Sequence, residues 1–381
     1  MKVIVVGGGI VGLSTAYALT KGGVDVTLVE RGPIPHPLAS SSDHHRIIRS
    51  TYSSQEGYTV RMADAHAAWQ RLWDDLGAPL DRYYAKTGIL TLCEDDGDFG
   101  DTSRTTMDGL GLPYELLEGA GAVEERYPFL NATGIRFGLV TDGGALMANT
   151  ILTDLAAWLR LNGATVLEHA PVEAVDGRTG TVTLGDGRVL SADTVVVAAG
   201  PHTVRLMPDL TQSLTVVRTH VVYADPPDHL RQSWAGGPCW THLGGSVHLW
   251  GIAPVAGLPL KLGNGDLAKP DEDLTHRPIS PEEVDALMAS FSRRLRDIDA
   301  YKVRWGLTNH WTMAPDDAFL LTRRDRAVIV SACSGHGFKF GALTGQDVAD
   351  ALTERANFDT VAQKVAGQIS AIRPAALEAQ A

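Results

Sequence analysis

Gly7, Gly9 and Gly12 in "VVGGGIVGL" carry the spacing G-x-G-x-x-G between the apolar run at residues 3–6 and a segment rich in alanine and leucine. The chemistry this pattern serves is dinucleotide binding. The first glycine permits a tight turn, the second lets the backbone approach a pyrophosphate, and the third lets helix and strand pack closely, while the helix start offers free N–H groups to the anion. Glu30, at the end of the next apolar run, is placed to accept hydrogen bonds from an adenosine ribose, and Arg31 beside it would instead suit a 2′-phosphate. The motif leaves NAD and FAD both open. A second stretch, "SGHGFKF" at residues 334–340, sets two glycines, a histidine and a lysine directly after the apolar run Ala327, Val328, Ile329, Val330. Phe338 and Phe340 flank Lys339 and would keep the strip buried; the alternative is a helix-start turn with a solvated lysine.

These residues need a sizeable scaffold, and 381 residues exceed the length at which one core stops growing, so two domains are expected. A formal charge of −12 without a basic stripe argues against nucleic acid and against an anionic membrane surface as partners. Cys93, Cys239 and Cys333 are few, scattered and odd in number, which fits a reduced cytoplasmic setting and excludes a cysteine zinc ribbon. No run approaches a membrane span, and the apolar N-terminus is broken by glycines, so it reads as a strand and not as a signal peptide. No Ser-His-Asp order, H-E-x-x-H or Walker A pattern occurs and the histidines are scattered, so no metal site is expected.

Along the chain, apolar spacing predicts a helix over 57–76, a strand-like run over 83–93, a second helix over 149–161, a strand pair in "GATVLEHAPVEAV", and a hairpin through Gly185, Asp186 and Gly187. The apolar run in "ADTVVVAAGPHT" ends in Ala199 and Gly200, small residues that suggest close approach by a ligand or another segment. Residues 213–311 alternate as antiparallel strands do. Elements that could hold a nucleotide therefore lie at the start, middle and end of the chain, with a sheet domain inserted between them.

Seven stretches in order, "GGGIVGLSTA", "SSSDHHRIIRSTY", "KTGIL", "VVVAAGPHT", "LWGIAPVAGLPLKLG", "TMAPDDAFLL" and "SGHGFKF", resemble the D-amino-acid oxidase superfamily of flavoproteins, most closely its monomeric sarcosine oxidase and N-methyltryptophan oxidase branch. The resemblance covers nearly the whole chain. It implies an α/β fold: a Rossmann-like FAD-binding domain from 1–82, 144–212 and 316–381, with an inserted antiparallel-sheet (α+β) substrate-binding domain from 83–143 and 213–315. Implied contacts to FAD are Gly7, Gly9, Ile10, Val11, Gly12, Glu30, Arg31, Ser42, His45, Arg46, Val172, Ala199, Gly200, Gly335, His336, Gly337, Phe338 and Lys339. Arg49 and Lys339 would hold a substrate carboxylate, Arg46 would sit near the flavin, and Lys261 matches the lysine that activates dioxygen, which favours an oxidase.

The chain departs from that branch at five positions. Asn309 stands where the branch has its flavin-linking cysteine, so FAD without a covalent link is expected. Trp250, Gly265 and Ser42 replace a pocket tyrosine and two histidines, and Trp311 replaces another tyrosine. Two indoles and a lost imidazole suggest a larger, aromatic-lined cavity, unless the tryptophans belong to the core. His44 and His45 would face flavin or substrate, or serve loop hydrogen bonds. The implied function is a monomeric FAD-dependent oxidase of an amino acid or carboxylate-bearing secondary amine, with hydride transfer to the flavin and reoxidation by O2 to H2O2. The alternatives are a dehydrogenase or hydroxy-acid oxidase of the same fold, or a non-catalytic FAD-binding partner subunit.

Overall fold

The computed structural model describes residues 1–271, 273–275 and 278–372, so the last residues of the expected FAD-binding segment, 373–381, lie outside the described residues. Its centre is a six-stranded sheet in the order Leu320–Arg324, Ala327–Ser331, Thr194–Val197, Lys2–Val6, Asp25–Val29, Thr165–Leu167. Val5 pairs in parallel with Leu28 on one side and Val196 on the other. Only the Leu320–Arg324 edge runs antiparallel. Val3, Ile4 and Val5 are fully buried, as a continuous β-branched run covered on both faces should be.

Helix Ile10–Lys21 packs against the strand turn at Gly7 and against helix Gly341–Leu352, and a glycine opens each contact. A Cβ on Gly12 would stand 1.9 Å from the Gly7 carbonyl oxygen, and one on Gly345 would stand 2.4 Å from the Ser14 carbonyl carbon. The expected helix at 57–76 is found as Glu56–Leu76, closed by a left-handed Gly77.

The second body is a nine-stranded, mainly antiparallel sheet whose longest pair is Thr215–Asp225 with Lys302–Met313. It includes one parallel pair, Cys239–Leu243 with Ile89–Cys93. Leu90, Val222, Trp234, Trp240, Leu262 and Phe291 form its core.

Two expected continuities are broken. The run 83–93 is two strands in different sheets: Ile89–Cys93 joins the large sheet, whereas Tyr84–Lys86 pairs with Gly143–Leu146, which also pairs with Arg46–Arg49. Gly88, with φ +75°, turns the chain between them. The pair inside 163–175 is likewise divided, Thr165–Leu167 at the edge of the parallel sheet and Val172–Asp176 in a separate three-stranded antiparallel sheet.

The Gly345 contact gives a stability test. Alanine favours a helix interior by about 1 kcal/mol over glycine, but a methyl against backbone atoms cannot be relieved by a rotamer change, and overpacking costs about 1 to 3 kcal/mol. Gly345→Ala should therefore lower the unfolding free energy in urea rather than raise it.

Candidate functional site

A cleft of about 1000 Å³ runs between the two bodies, from Glu30 and Arg31 to Trp250 and Lys339. At its first end the helix Ile10–Lys21 begins at Gly9, which has no side chain to cap it, while Ser41 Oγ accepts the Ile10 N–H at 3.0 Å. Gly7, Gly9, Ile10, Val11, Val172, Ala199 and Gly200 line the cleft here. Gly12 does not; it is buried where helix meets strand. The Glu30 carboxylate accepts the N–H groups of Gly8 at 2.6 Å and Gly32 at 3.2 Å, and Arg31 lies 2.6 Å from His202 Nε2.

At the other end, "SGHGFKF" turns through Ser334 and Gly335, both with positive φ, and enters the short 3-10 turn Phe338–Phe340. Lys339 is held from several sides. Its carbonyl accepts Trp69 Nε1 at 2.7 Å, Phe338 stacks on Trp69, and Phe340 packs among Tyr52, Tyr58 and Phe319. The Lys339 side chain is 6% exposed and lines the cleft, so it is not a solvated lysine. Its Nζ donates to the His336 carbonyl at 3.2 Å. Gly335, His336, Gly337 and Phe338 line the same wall.

Arg49 ends the strand Arg46–Arg49 and lies with its Cζ 4.4 Å from the Tyr52 ring centroid, on the ring that Lys339 Nζ approaches at 5.8 Å. Its only hydrogen bond among the described residues is to the Thr51 carbonyl. Neither cation has a carboxylate partner among the described residues. Burial works against both charges, and in Lys339 burial, with the Arg49 charge added, pulls the ammonium well below the usual lysine range.

Arg46 is placed differently. On a strand, a separation of three sends the two guanidiniums opposite ways, and Arg46 turns back to its own loop. It donates to the Ser40 carbonyl at 2.7 Å and ion-pairs with Asp43. Asp43 is the residue the sequence did not reveal. Its side chain is fully buried behind the cleft wall; Oδ1 accepts Tyr223 Oη at 2.6 Å and the His44 N–H at 2.7 Å, while Oδ2 accepts Lys261 Nζ at 2.5 Å and Arg46 Nη1. Burial pushes the Asp43 carboxyl up, but the charges of Lys261 and Arg46, with hydrogen bonds from Lys261 and Tyr223, outweigh it and hold it well below the carboxylate range. Burial pulls the Lys261 ammonium down, Asp43 pushes back, and it settles at about 8.

Trp250 and Trp311 both line the cleft and are only partly buried, so neither is a core residue. The Trp250 ring lies over Gly263 and faces Lys261 Nζ at 5.5 Å. Trp311 Nε1 is buried without a partner beside Gly335. Three expectations about neighbouring residues are corrected. Ser42 is not on the cleft wall; its hydroxyl donates to Asn149 Oδ1 at 3.2 Å, and Ser41 takes the cleft position. His44 is exposed and edge-on to Tyr223 and Trp305. His45 is fully buried, stacked on Tyr223 and outside the lining, and burial, then Lys261, pulls its imidazole down to about 3. Asp43 fixes the loop by its carboxylate, and that turns both histidines away.

The expected enlargement at Gly265 is also corrected. A Cβ there would meet His248 Nδ1 at 2.3 Å, so an imidazole from the connection just before the strand Leu249–Ile252 fills the space. His248 stacks on His242 at 4.3 Å, His242 on Phe99 at 3.7 Å, and Phe99 carries Arg49 at 5.4 Å. This column of rings lines the cleft, and Phe99 and Arg49 are distant in sequence from the two histidines, so no local pattern reveals it.

The column should make stability depend on acid. Burial, then the neighbouring imidazole, lowers His242 to about 2, and burial, then Arg49, lowers His248 to about 4. The unfolded chain binds these protons near pH ~6.5 and the folded chain does not, so stability is complete above that pH and is lost as pH falls toward 4. Urea unfolding of the purified protein between pH 7 and 4 should show this fall, and His242→Phe should make it shallower.

The family of FAD dependent oxidoreductases designated DAO matches residues 2–351. Mouse peroxisomal sarcosine oxidase is 29% identical over 360 residues, 90% of each chain. N-methyl-L-tryptophan oxidase of Yersinia pestis is 26% identical over 356 residues, 91% of this chain and 93% of that protein. Among solved structures, L-proline dehydrogenase from P. horikoshii superposes with a TM-score of 0.79 at 19% identity, covering 94% of each chain. NikD, an unusual amino acid oxidase essential for nikkomycin biosynthesis, superposes with 0.77 at 22% identity, covering 93% of this chain and 94% of its own. These last two share the fold. With a family match spanning nearly all of the sequence, a mixed α/β architecture common to flavin enzymes, and a glycine turn opening on a large cleft, the chain belongs to the DAO family of FAD-dependent oxidoreductases.

Proposed function

We propose that this FAD-dependent oxidoreductase is an oxidase of an amino acid or of a secondary amine that carries a carboxylate. The observation that carries this reading is the pair Arg49 and Lys339, two basic groups in one cleft over one tyrosine ring with no carboxylate partner among the described residues, where an entering carboxylate would restore the ammonium charge that burial suppresses. An uncompensated charge away from water is costly. A ligand carboxylate removes that cost, and arginine offers it two parallel donors. Sarcosine and N-methyltryptophan, named in the relatives' activities, are both secondary amines with a carboxylate.

The nucleotide end suits FAD. The uncapped helix start and Gly7 and Gly9 would hold the pyrophosphate, Glu30 the ribose, and Val172, Ala199 and Gly200 the opposite wall. Buried polar atoms without partners, Trp311 Nε1, His336 Nδ1 and Tyr52 Oη, face the part left for the ring system and substrate. Bound FAD supplies the two-electron acceptor for the C–H bond next to nitrogen and returns the electrons to O2.

The chain's own residues orient and shield. Arg49 and Lys339 fix the carboxylate, and the ring column holds the Arg49 plane from behind. Burial keeps His242, His248 and His336 neutral, so none of them donates a proton from an imidazolium at neutral pH. Lys261 offers a fixed cation to the negative charge that develops on oxygen.

Attachment of the cofactor is read as non-covalent. Asn309 lines the cleft and has no sulfur; Cys333 also lines it, but burial pushes its thiol up, which leaves the unreactive protonated form. Three free cysteines match a cytoplasmic location, and a monomer fits the resemblance. No described helix is long and apolar enough to cross a membrane.

Two measurements test this. Purified holoprotein, offered N-methyl amino acids, proline, pipecolate and D-amino acids, should bleach and form peroxide with at least one. Arg49→Gln should then raise its KM by roughly 10- to 100-fold, as loss of a charged hydrogen bond of about 1.5 to 3 kcal/mol implies, and a methyl ester should be affected little. Bleaching with very slow recovery in air would identify a dehydrogenase instead. Acid precipitation should leave the flavin colour in the supernatant, and a yellow pellet would overturn non-covalent binding.

A further inference from the structure

Lys261 sits in the cleft wall, and Asp43 lies directly behind it, out of reach of any ligand. Every charged or titratable group that meets Lys261 can be named. Asp43, the His45 carbonyl and Arg46 come from the loop and strand at 43–49; Tyr223 comes from Thr215–Asp225; the Trp250 ring from Leu249–Ile252; and Cys239 from the strand beyond. The His45 imidazole packs on Tyr223 and is held neutral by burial. Asp43 is the single anion in this set. Two cations share it, so the group carries one net positive charge, two minus one.

We propose that Asp43 is a positioning residue for reaction with dioxygen: its buried carboxylate pins Lys261 and Arg46 together and holds the Lys261 side chain, as its counter-ion, at one point of the cleft wall. The inference rests on the oxidase reading and adds a residue that no cofactor or substrate touches. All four acceptor directions of the carboxylate are used, by Tyr223, the His44 N–H, Lys261 and Arg46, so the position of Lys261 Nζ is set by groups from three separate segments. Remove the charge but keep the shape, as in Asp43→Asn, and Lys261 is left facing Arg46 in a dry wall with no counter-ion. A buried lysine in that position releases its proton.

The test needs no substrate. Holoprotein is reduced with dithionite without air, mixed with oxygenated buffer, and the return of flavin colour is timed from pH 6 to 9. Wild type should recolour fast below about pH 8 and slow above it, the limb set by Lys261, and Lys261→Met should be slow at every pH. In Asp43→Asn the limb should move down by about one pH unit or more, with a loss of roughly tenfold at pH 8 and less at pH 6. A limb and rate equal to wild type in Asp43→Asn would overturn the proposal. A wild type that itself recolours only over minutes would overturn the oxidase reading and this proposal with it. Should Asp43→Asn fail to fold, the double variant Asp43→Asn/Lys261→Met, which strands no lysine charge, should recover soluble folded protein; a double variant no more stable than the single one would show the two residues uncoupled and also overturn it.

Discussion

The interaction on which the site depends is one buried carboxylate meeting four donors. Asp43 draws a lysine from one strand of the large sheet, a tyrosine from the neighbouring strand, and an arginine and a backbone N–H from its own loop onto four lone-pair directions. Each charge taken from water costs several kcal/mol, and attraction within such a set does little more than restore that loss. Apolar residues of similar volume would hold the two bodies together as well. What they could not do is fix a cation at one point of the cleft wall, and the geometry of Lys261 and Arg46 is what the carboxylate contributes.

Against that saturated set stands a second pair of cations with the opposite character. Arg49 and Lys339 rest on the Tyr52 ring, the first donating to the Thr51 carbonyl and the second to that of His336, and no carboxylate comes to either among the described residues. The fold supports them mechanically: Trp69 and Phe338 behind Lys339, Phe99, His242 and His248 behind Arg49. The two imidazoles do this only while neutral, because an imidazolium would oppose the guanidinium in the same column. One cleft thus holds basic groups of two kinds, one pair neutralised in part from behind and one without a carboxylate partner among the described residues.

How much of this was legible follows from the distance over which each interaction acts. The glycine turn is local: Gly7, Gly9 and Gly12 act within one strand and one helix, and their spacing is visible in a dozen residues. The long helix is local too, and its bounds fall within a residue of those expected. Asp43 and Lys261 are separated by 218 positions, and a lone acid in "SSSDHHR" has no periodicity or partner nearby to mark it. The histidines beside it are conspicuous in sequence yet turned away from the cleft, because the loop follows its aspartate. The run 83–93 looks like one strand since apolar patterning does not record which sheet a residue joins, and Gly88 changes sheets without interrupting that pattern.

Gly265 shows why cavity shape is harder still to read. A glycine where the family resemblance implies a histidine suggests added room, yet the His248 ring closes that room from the strand connection opposite, and a side chain at Gly265 would collide with it. The His248 imidazole stacks on His242 and so belongs to a column that ends at Arg49. The column behaves as one piece, since packing at interior density leaves no member free to shift without its neighbours, so a change at His248 or His242 reaches Arg49 through Phe99.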